Sequence, residues 1–123
     1  MKSFFLVFLG GGLGSVLRYS IYRVMQSGAN TSILSTLSVN VIGSLFLGLV
    51  MGYTLKESTI SNNLIIFLTM GVCGGFTTFS TFAFENKSLL STGEYFTFFL
   101  YAFGSLLLGI LAIFLGMSIS RYI

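Results

Sequence analysis

Four long apolar segments constrain this chain more than any other feature. They span about residues 4–25, 33–54, 62–84 and 95–120, and each is close to the ~20 residues that an α-helix needs to cross a bilayer. Charged residues make up only 7% of the 123 residues, compared with about 25% in an ordinary soluble domain. We therefore predict an all-α, multi-pass protein of the cell (inner or plasma) membrane, folded as a single membrane domain over residues 1–123.

The remaining composition argues against several classes of function. The net charge of +3 is dispersed along the chain, and without a basic run or face we expect no binding to nucleic acid. The chain has no histidine and a single cysteine, Cys73, so one copy can form neither an intramolecular disulfide nor a recognisable zinc site. We do not expect an enzyme, since the membrane segments offer no acid pair either.

The third apolar segment is interrupted in its middle. The interruption consists of two glycines, four hydroxyl residues and three phenylalanines: Gly74, Gly75, Phe76, Thr77, Thr78, Phe79, Ser80, Thr81 and Phe82. Irregular backbone at membrane depth is tolerated only where it is buried in protein or faces a water-filled path. We predict that the third helix is broken near Gly74–Thr78, and that this polar and aromatic break forms a permeation or binding site.

Small residues and one cation stand out in the first segment. Gly10 and Gly14 form a small-xxx-small pair, which predicts the close approach of another helix. Arg18 lies well inside the same segment, where a cation is costly unless it faces a partner or water. It could also extend its side chain to the membrane surface.

Two further segments carry polar stripes. Thr36, Asn40 and Ser44 share one face of the second predicted helix with Gly43. Tyr101 and Ser105 share a face of the fourth with Gly109. Such residues either link neighbouring helices by hydrogen bonds or line a polar path, and the pattern alone leaves both interpretations open.

The basic residues are balanced between the two sides of the predicted membrane domain. One side collects Lys2, Lys56 and Arg121, and the other collects Arg18, Arg23 and Lys87. Three against three leaves no positive-inside bias. A chain without a preferred orientation could insert both ways, which predicts dual topology and an antiparallel two-fold dimer.

Three blocks of sequence resemble the signature blocks of the Fluc (CrcB-type) fluoride channels. They are Gly11-Gly12-x-Gly14-x-x-x-Arg18-Tyr19, Asn40-x-x-Gly43, and Gly71-x-Cys73-Gly74-Gly75-Phe76-Thr77-Thr78-Phe79-Ser80-Thr81-Phe82. The resemblance spans essentially the whole chain, and the third block is the most specific because it is long and unusual in composition.

The resemblance implies a passive, highly selective channel that exports fluoride and lowers its cytoplasmic concentration. It also implies an antiparallel dual-topology homodimer with two pores, each lined by both subunits; pairing with a paralogue stays open. The pore residues that it suggests are Phe79, Phe82, Asn40, Tyr101 and Ser105, with Thr36 and Ser80 nearby. At the third position of the hydroxyl track, this chain has Gly109 where some members carry serine.

The resemblance further implies a structural sodium ion on the dimer axis. Its ligands would be main-chain carbonyls of Gly74 and Thr77 from each subunit. Carbonyls freed by a broken membrane helix are hard oxygen ligands of the kind that bind Na⁺ in other discontinuous helices.

The chemistry of these residues is compatible with fluoride. A selective pore must replace the water around a small, strongly hydrated anion with hydrogen-bond donors, which amides and hydroxyls supply. The positive rim of the Phe79 and Phe82 rings can also face an anion, although ordinary core packing explains such spacing as well. Arg18 would attract anions into a vestibule.

Two other classes of membrane protein remain as alternatives. A small dual-topology multidrug transporter has about this size but needs an acidic residue inside a span. We expect Glu57, Glu85 and Glu94 to lie in loops or at a helix end, because residues 86–94 are predicted to form a polar loop. Glu85 is the only possible exception. A packing subunit of a larger complex would explain the glycines but not the polar stripes.

Overall fold

The computed structural model describes residues 1–25, 31–56 and 60–123, all of whose regular elements are helical. The elements are α1 (Lys2–Met25), α2 (Thr31–Lys56), α3 (Asn62–Ile66), a π-helical segment (Phe67–Cys73), α4 (Gly74–Phe76), α5 (Phe79–Ser91) and α6 (Tyr95–Ser120). Within these described ranges, four stretches are long and apolar enough to cross a membrane: Lys2–Met25, Ser32–Lys56, Asn62–Ser91 and Tyr95–Ser120. The predicted all-α fold with four membrane spans is confirmed. Most of the predicted connection 26–32, and Glu57, lie outside the described residues.

The third span is broken where the sequence predicted, but the glycines are not the break. Gly74 has helical dihedrals, φ −62° and ψ −36°. The extended residues are Thr77, at φ −77° and ψ 159°, and Thr78, at φ −148° and ψ 112°. The Thr78 hydroxyl accepts a hydrogen bond from the Thr81 N–H and so caps α5. Thr77 and Thr78 therefore form the break, and Thr78 caps the helix that follows it.

The helix that follows the break is longer than predicted. The expected polar loop over 86–94 is wrong for its first part, because α5 continues to Ser91. Asn86 and Leu89 are buried on its inner face, so this stretch packs in the bundle. A Schellman motif ends the helix: Gly93 has φ 77°, and the Glu94 N–H donates to the Leu89 carbonyl at 2.9 Å.

Glycines let the helices pack backbone to backbone. A Cβ atom added at Gly14 would lie 2.2 Å from the Val72 carbonyl oxygen, and one at Gly10 would lie 2.7 Å from that of Phe67. The predicted close approach at Gly10 and Gly14 is confirmed, and its partner is the π-helical segment. A Cβ at Gly75 would likewise lie 2.4 Å from the Gly11 oxygen, so the glycine beside the break serves packing.

Candidate functional site

Side chains from two other helices hold the break in the third span. The Asn40 Nδ2 on α2 donates to the Thr78 carbonyl at 3.2 Å, and the Thr78 N–H donates back to Asn40 Oδ1 at 2.8 Å. Arg18 Nη1 on α1 donates to the Thr77 carbonyl at 3.1 Å. Backbone groups freed inside a membrane need such partners. Of the two predicted roles for Arg18, the structure therefore shows a contact with a protein partner inside the bundle.

A first cavity, which we call the break cavity, lies beside these contacts. It has a volume of about 350 Å³. Its lining consists of Asn40, Gly43, Ser44, Leu47, Thr69, Cys73, Gly74, Thr77 and Phe79. Both residues predicted to bind sodium, Gly74 and Thr77, are therefore in the lining of one open space.

A second cavity, the aromatic cavity, brings together four of the predicted pore residues. Its volume is about 230 Å³, and its lining includes Asn40, Phe79, Phe82 and Ser105. The remaining lining residues are Ser44, Leu106, Gly109, Ile110 and Ile113. Polar groups from α2 and α6 thus face the two phenylalanines of α5 across a small, mostly apolar space.

Ser105 is the most informative residue of the aromatic cavity. Its hydroxyl oxygen is buried and has no hydrogen-bond partner within the described part of the chain. Buried hydroxyls are almost always paired, and leaving one unpaired costs about 1–3 kcal/mol. Ser105 therefore brings to the wall of the aromatic cavity a hydroxyl that no described group engages.

The two phenylalanines present tilted rings. The ring centroids of Phe79 and Phe82 are 5.8 Å apart at an interplanar angle of 43°, and the Phe82 and Tyr101 rings meet edge to face at 5.1 Å and 63°. Phe79 is 77% exposed in the single chain. Within the described residues, the Phe79 side of the aromatic cavity is therefore largely uncovered.

Ser44 belongs to the aromatic cavity although the sequence placed it only on a polar stripe. A Cβ atom added at Gly109 would lie 3.6 Å from the Ser44 hydroxyl oxygen. A serine at position 109 would therefore carry its hydroxyl into the same region. Ser44 on α2 therefore places a hydroxyl close to Gly109, the position on α6 that has none.

The other predicted pore residues do not line the aromatic cavity. The Ser80 hydroxyl lies 3.4 Å from that of Thr78 at the start of α5. The hydroxyls of Thr36 and Tyr101 are instead bonded to Glu85. Their assignment as fluoride-binding residues stays a prediction.

Glu85 is a functional candidate that the sequence analysis named as a possible interior carboxylate but assigned to no site. It lies inside α5 and is only 7% exposed, so it is the exception that the sequence analysis allowed among the three glutamates expected in loops or at a helix end. Tyr101 donates to its Oε2 at 2.7 Å, Thr36 donates to its Oε1 at 3.0 Å, and Ser32 also donates to Oε1. The signal was available, because Glu85 follows Phe82 by one helical turn.

Comparisons with known proteins identify relatives over nearly the whole chain. The model of the family described as "CrcB-like protein, Camphor Resistance (CrcB)" matches residues 5–117. A protein of Phocaeicola vulgatus is 48% identical over 126 residues, covering 98% of this chain and 100% of the relative. One of Thermus thermophilus is 45% identical, with 94% and 93% covered, and one of Flavobacterium psychrophilum is 42% identical, with 98% of each covered. All three relatives are named fluoride-specific ion channel FluC.

The matches extend through all four membrane-spanning stretches. They include both sides of the break and the α6 residues that line the aromatic cavity. The protein is a multi-pass protein of the cell membrane. Because the family model matches residues 5–117 and the relatives match nearly the whole chain, this chain belongs to the CrcB-like family.

Proposed function

We propose that this protein is a passive, selective fluoride channel, and not an enzyme. The observation that carries the proposal is the unpaired Ser105 hydroxyl in the aromatic cavity beside Phe79 and Phe82. The names of the relatives support it independently.

The lining of the aromatic cavity suits a small anion that accepts hydrogen bonds strongly. Ser105 offers its hydroxyl hydrogen, and Asn40 offers the amide hydrogen that the Thr78 carbonyl does not use, since its Nδ2 carries two. The tilted phenylalanines can present ring edges, where the quadrupole is positive. These donors would replace the water that a fluoride ion must lose.

We infer an antiparallel, dual-topology homodimer with two pores as the functional unit. The basic residues give no preferred orientation. Phe79 is largely exposed, and the break and aromatic cavities share Asn40, Ser44 and Phe79 in their linings. A second copy over this face would close both cavities and contribute residues to both. Pairing with a paralogue would use the same face. Such pores would let fluoride leave the cell down its gradient and so lower its cytoplasmic concentration.

A sodium ion at the centre of that dimer is the further part of the proposal. Gly74 and Thr77 both line the break cavity, and neutral carbonyls at a helix break are suitable ligands for Na⁺. The Thr77 carbonyl would have to contact both the sodium ion and Arg18, because it also accepts a hydrogen bond from the Arg18 guanidinium. A bound sodium ion would supply a fixed positive charge that links the two copies. Arg18 would fix the direction of the Thr77 carbonyl.

The sequence argument against a proton-coupled transporter does not survive. It rested on the lack of an interior carboxylate with Glu85 as the only possible exception, and Glu85 is buried inside the third membrane-spanning stretch. The fluoride proposal rests instead on the aromatic cavity and the relatives' names. A packing subunit would not need a cavity-lining hydroxyl that is buried without a partner among the described residues.

Liposomes loaded with fluoride or chloride test the proposed function. The purified protein should release fluoride passively and far faster than chloride, without a proton gradient. Similar efflux of both ions, or proton-driven uptake of an organic cation, would refute the channel assignment. If Ser105→Ala left fluoride efflux unchanged, the Ser105 hydroxyl would have no part in permeation, and the proposed site would lose its main support.

A further inference from the structure

A third cavity, which we call the end groove, lies where α2 and α6 end and the third span begins. Its volume is about 380 Å³. α2 and α6 lie side by side up to this point, since a Cβ atom added at Gly52 would lie 2.9 Å from the Met117 Cα. The apolar part of its lining includes Leu49, Val50 and Tyr53 of α2 and Leu64, Ile65 and Leu68 of the third span.

The lining also includes one threonine and one serine, and their hydroxyls are used within their own helices. The Thr54 hydroxyl donates to the Met51 carbonyl at 2.7 Å, and the Ser120 hydroxyl donates to the Met117 carbonyl at 2.7 Å. Each hydroxyl has one hydrogen to donate, so neither offers it to a guest. The aromatic cavity differs, because the Ser105 hydroxyl there has no partner among the described residues. The end groove therefore suits an apolar guest.

The end groove runs from the membrane surface toward the acyl chains. At 1.5 Å per residue, Thr54 lies about 3 Å and Leu49 about 10 Å from the end of α2. Tyr53 and Leu64 are 40% and 47% exposed within the described part of the chain. Lipid chains surround such an opening in a bilayer, and an unfilled gap would lose dispersion contacts. An acyl chain would fill it, although any phospholipid could supply one.

Two basic residues at the outer end of the groove distinguish between headgroups. Lys56 is the last residue of α2, two positions after Thr54, and Arg121 directly follows Ser120 at the end of α6. Both are exposed, and neither forms an ion pair within the described part of the chain. Basic residues that flank a membrane-spanning helix attract anionic headgroups.

A third basic residue adds to the positive charge at this end of the bundle. α1 runs in the same direction as the third span, because the contacts at Gly10 and Gly14 follow each other in the same order along both. Lys2, at the start of α1, therefore lies at the same end as the end groove. In the sequence, the basic residues of this end outnumber its one acidic residue, Glu57, by three to one.

We propose that the end groove binds one anionic phospholipid of the surrounding bilayer. An acyl chain lies along the groove, and the headgroup phosphate lies against Lys56 and Arg121. Each basic residue near an anionic membrane surface contributes about fivefold in binding, so the two together give a preference of about 25-fold over a zwitterionic lipid. This site does not depend on the proposed fluoride pathway.

Tyr53→Trp reports the occupant directly, because the chain has no tryptophan and Tyr53 lines the groove. The variant is placed in liposomes in which one lipid at a time carries brominated acyl chains, which quench a tryptophan that they touch. Both leaflets contain each lipid, so the orientation of the chain does not matter. Titration should give a binding constant about 25-fold higher for phosphatidylglycerol than for phosphatidylcholine. Equal binding constants would overturn the proposal.

Lys56→Gln and Arg121→Gln, each combined with Tyr53→Trp, should lower this preference by about fivefold. Lys87→Gln is the matched control, because Lys87 is an exposed basic residue of α5, near the other end of the third span. Its loss should leave the preference unchanged. A preference that survives the loss of both Lys56 and Arg121, or that falls as far in Lys87→Gln, would contradict the assignment of the headgroup contacts and overturn the proposal.

Tyr95→Trp is the control for the position of the tryptophan. Tyr95 is 60% exposed and lies at the start of α6, at the opposite end from the groove. The two brominated lipids should quench this variant equally, and a preference as large as that of Tyr53→Trp would count against a specific site. If both lipids quench Tyr95→Trp but neither quenches Tyr53→Trp, a second copy of the chain covers the groove and the proposal fails.

Native mass spectrometry of the unaltered protein covers the case in which Tyr53→Trp does not fold. One phosphatidylglycerol per chain should stay bound at a collision energy that removes phosphatidylcholine. Equal retention of the two lipids would refute the anionic site.

Discussion

Gly14→Ala should separate α1 from the π-helical segment. The new Cβ would lie 2.2 Å from the Val72 carbonyl oxygen and 2.8 Å from the Phe76 nitrogen. Both atoms are backbone, so no side-chain rotation relieves the clash. A comfortable carbon to oxygen distance is about 3.3–3.6 Å, and the two helices must therefore move apart by roughly 1 Å.

The size of the effect follows from two opposing terms. Alanine in a helix interior is favoured over glycine by about 1 kcal/mol, whereas overpacking typically costs about 1–3 kcal/mol and sometimes more. At 2.2 Å the clash should reach the upper end, for a net loss of about 2 kcal/mol. Gly12→Ala is the matched control, because its Cβ would meet nothing within 4 Å in the single chain. It should be neutral or stabilising by up to about 1 kcal/mol.

Reversible unfolding in mixed detergent micelles, followed by circular dichroism, measures the difference. The two variants should differ by about 2–3 kcal/mol in free energy of unfolding. Fluoride efflux should also fall in Gly14→Ala, since Arg18 lies one turn further along α1 and its contact with the Thr77 carbonyl should lengthen. Equal stability of the two variants would refute the argument that backbone contact at Gly14 holds the break in place.

Three more substitutions test the aromatic cavity, each by fluoride efflux from liposomes. Asn40→Asp should reduce efflux by at least about tenfold with the protein still folded, because a carboxylate oxygen would face the Thr78 carbonyl and repel the anion; wild-type efflux would contradict this. Phe82→Ile should impair efflux by removing a ring edge, and normal flux would argue against any role for that edge. Ser44→Ala should lower efflux, and adding Gly109→Ser should restore it by returning a hydroxyl to the same region. If the double variant does not recover, hydroxyls at the two positions are not interchangeable.

Much of the fold could be predicted because its signals are local. The length of an apolar run determines whether it can span a bilayer, so four spans followed from the sequence. A break near Gly74–Thr78 followed from residue types that disfavour a membrane helix, and the structure places it at Thr77 and Thr78. The close packing at Gly10 and Gly14 followed from their spacing, although not its partner, the π-helical segment.

The sequence by itself therefore determined the membrane class, the four spans, the break and four of the residues that line the aromatic cavity. Only the tertiary structure decided which groups form hydrogen bonds with the backbone at the break and which partners the charged side chains have. Both depend on side chains that are far apart in the chain. Glu85 is 49 residues from Thr36 and 16 from Tyr101. When only the sequence is known, a carboxylate is expected in a loop. In the structure, hydroxyl groups surround it and offset the free-energy cost of burying it.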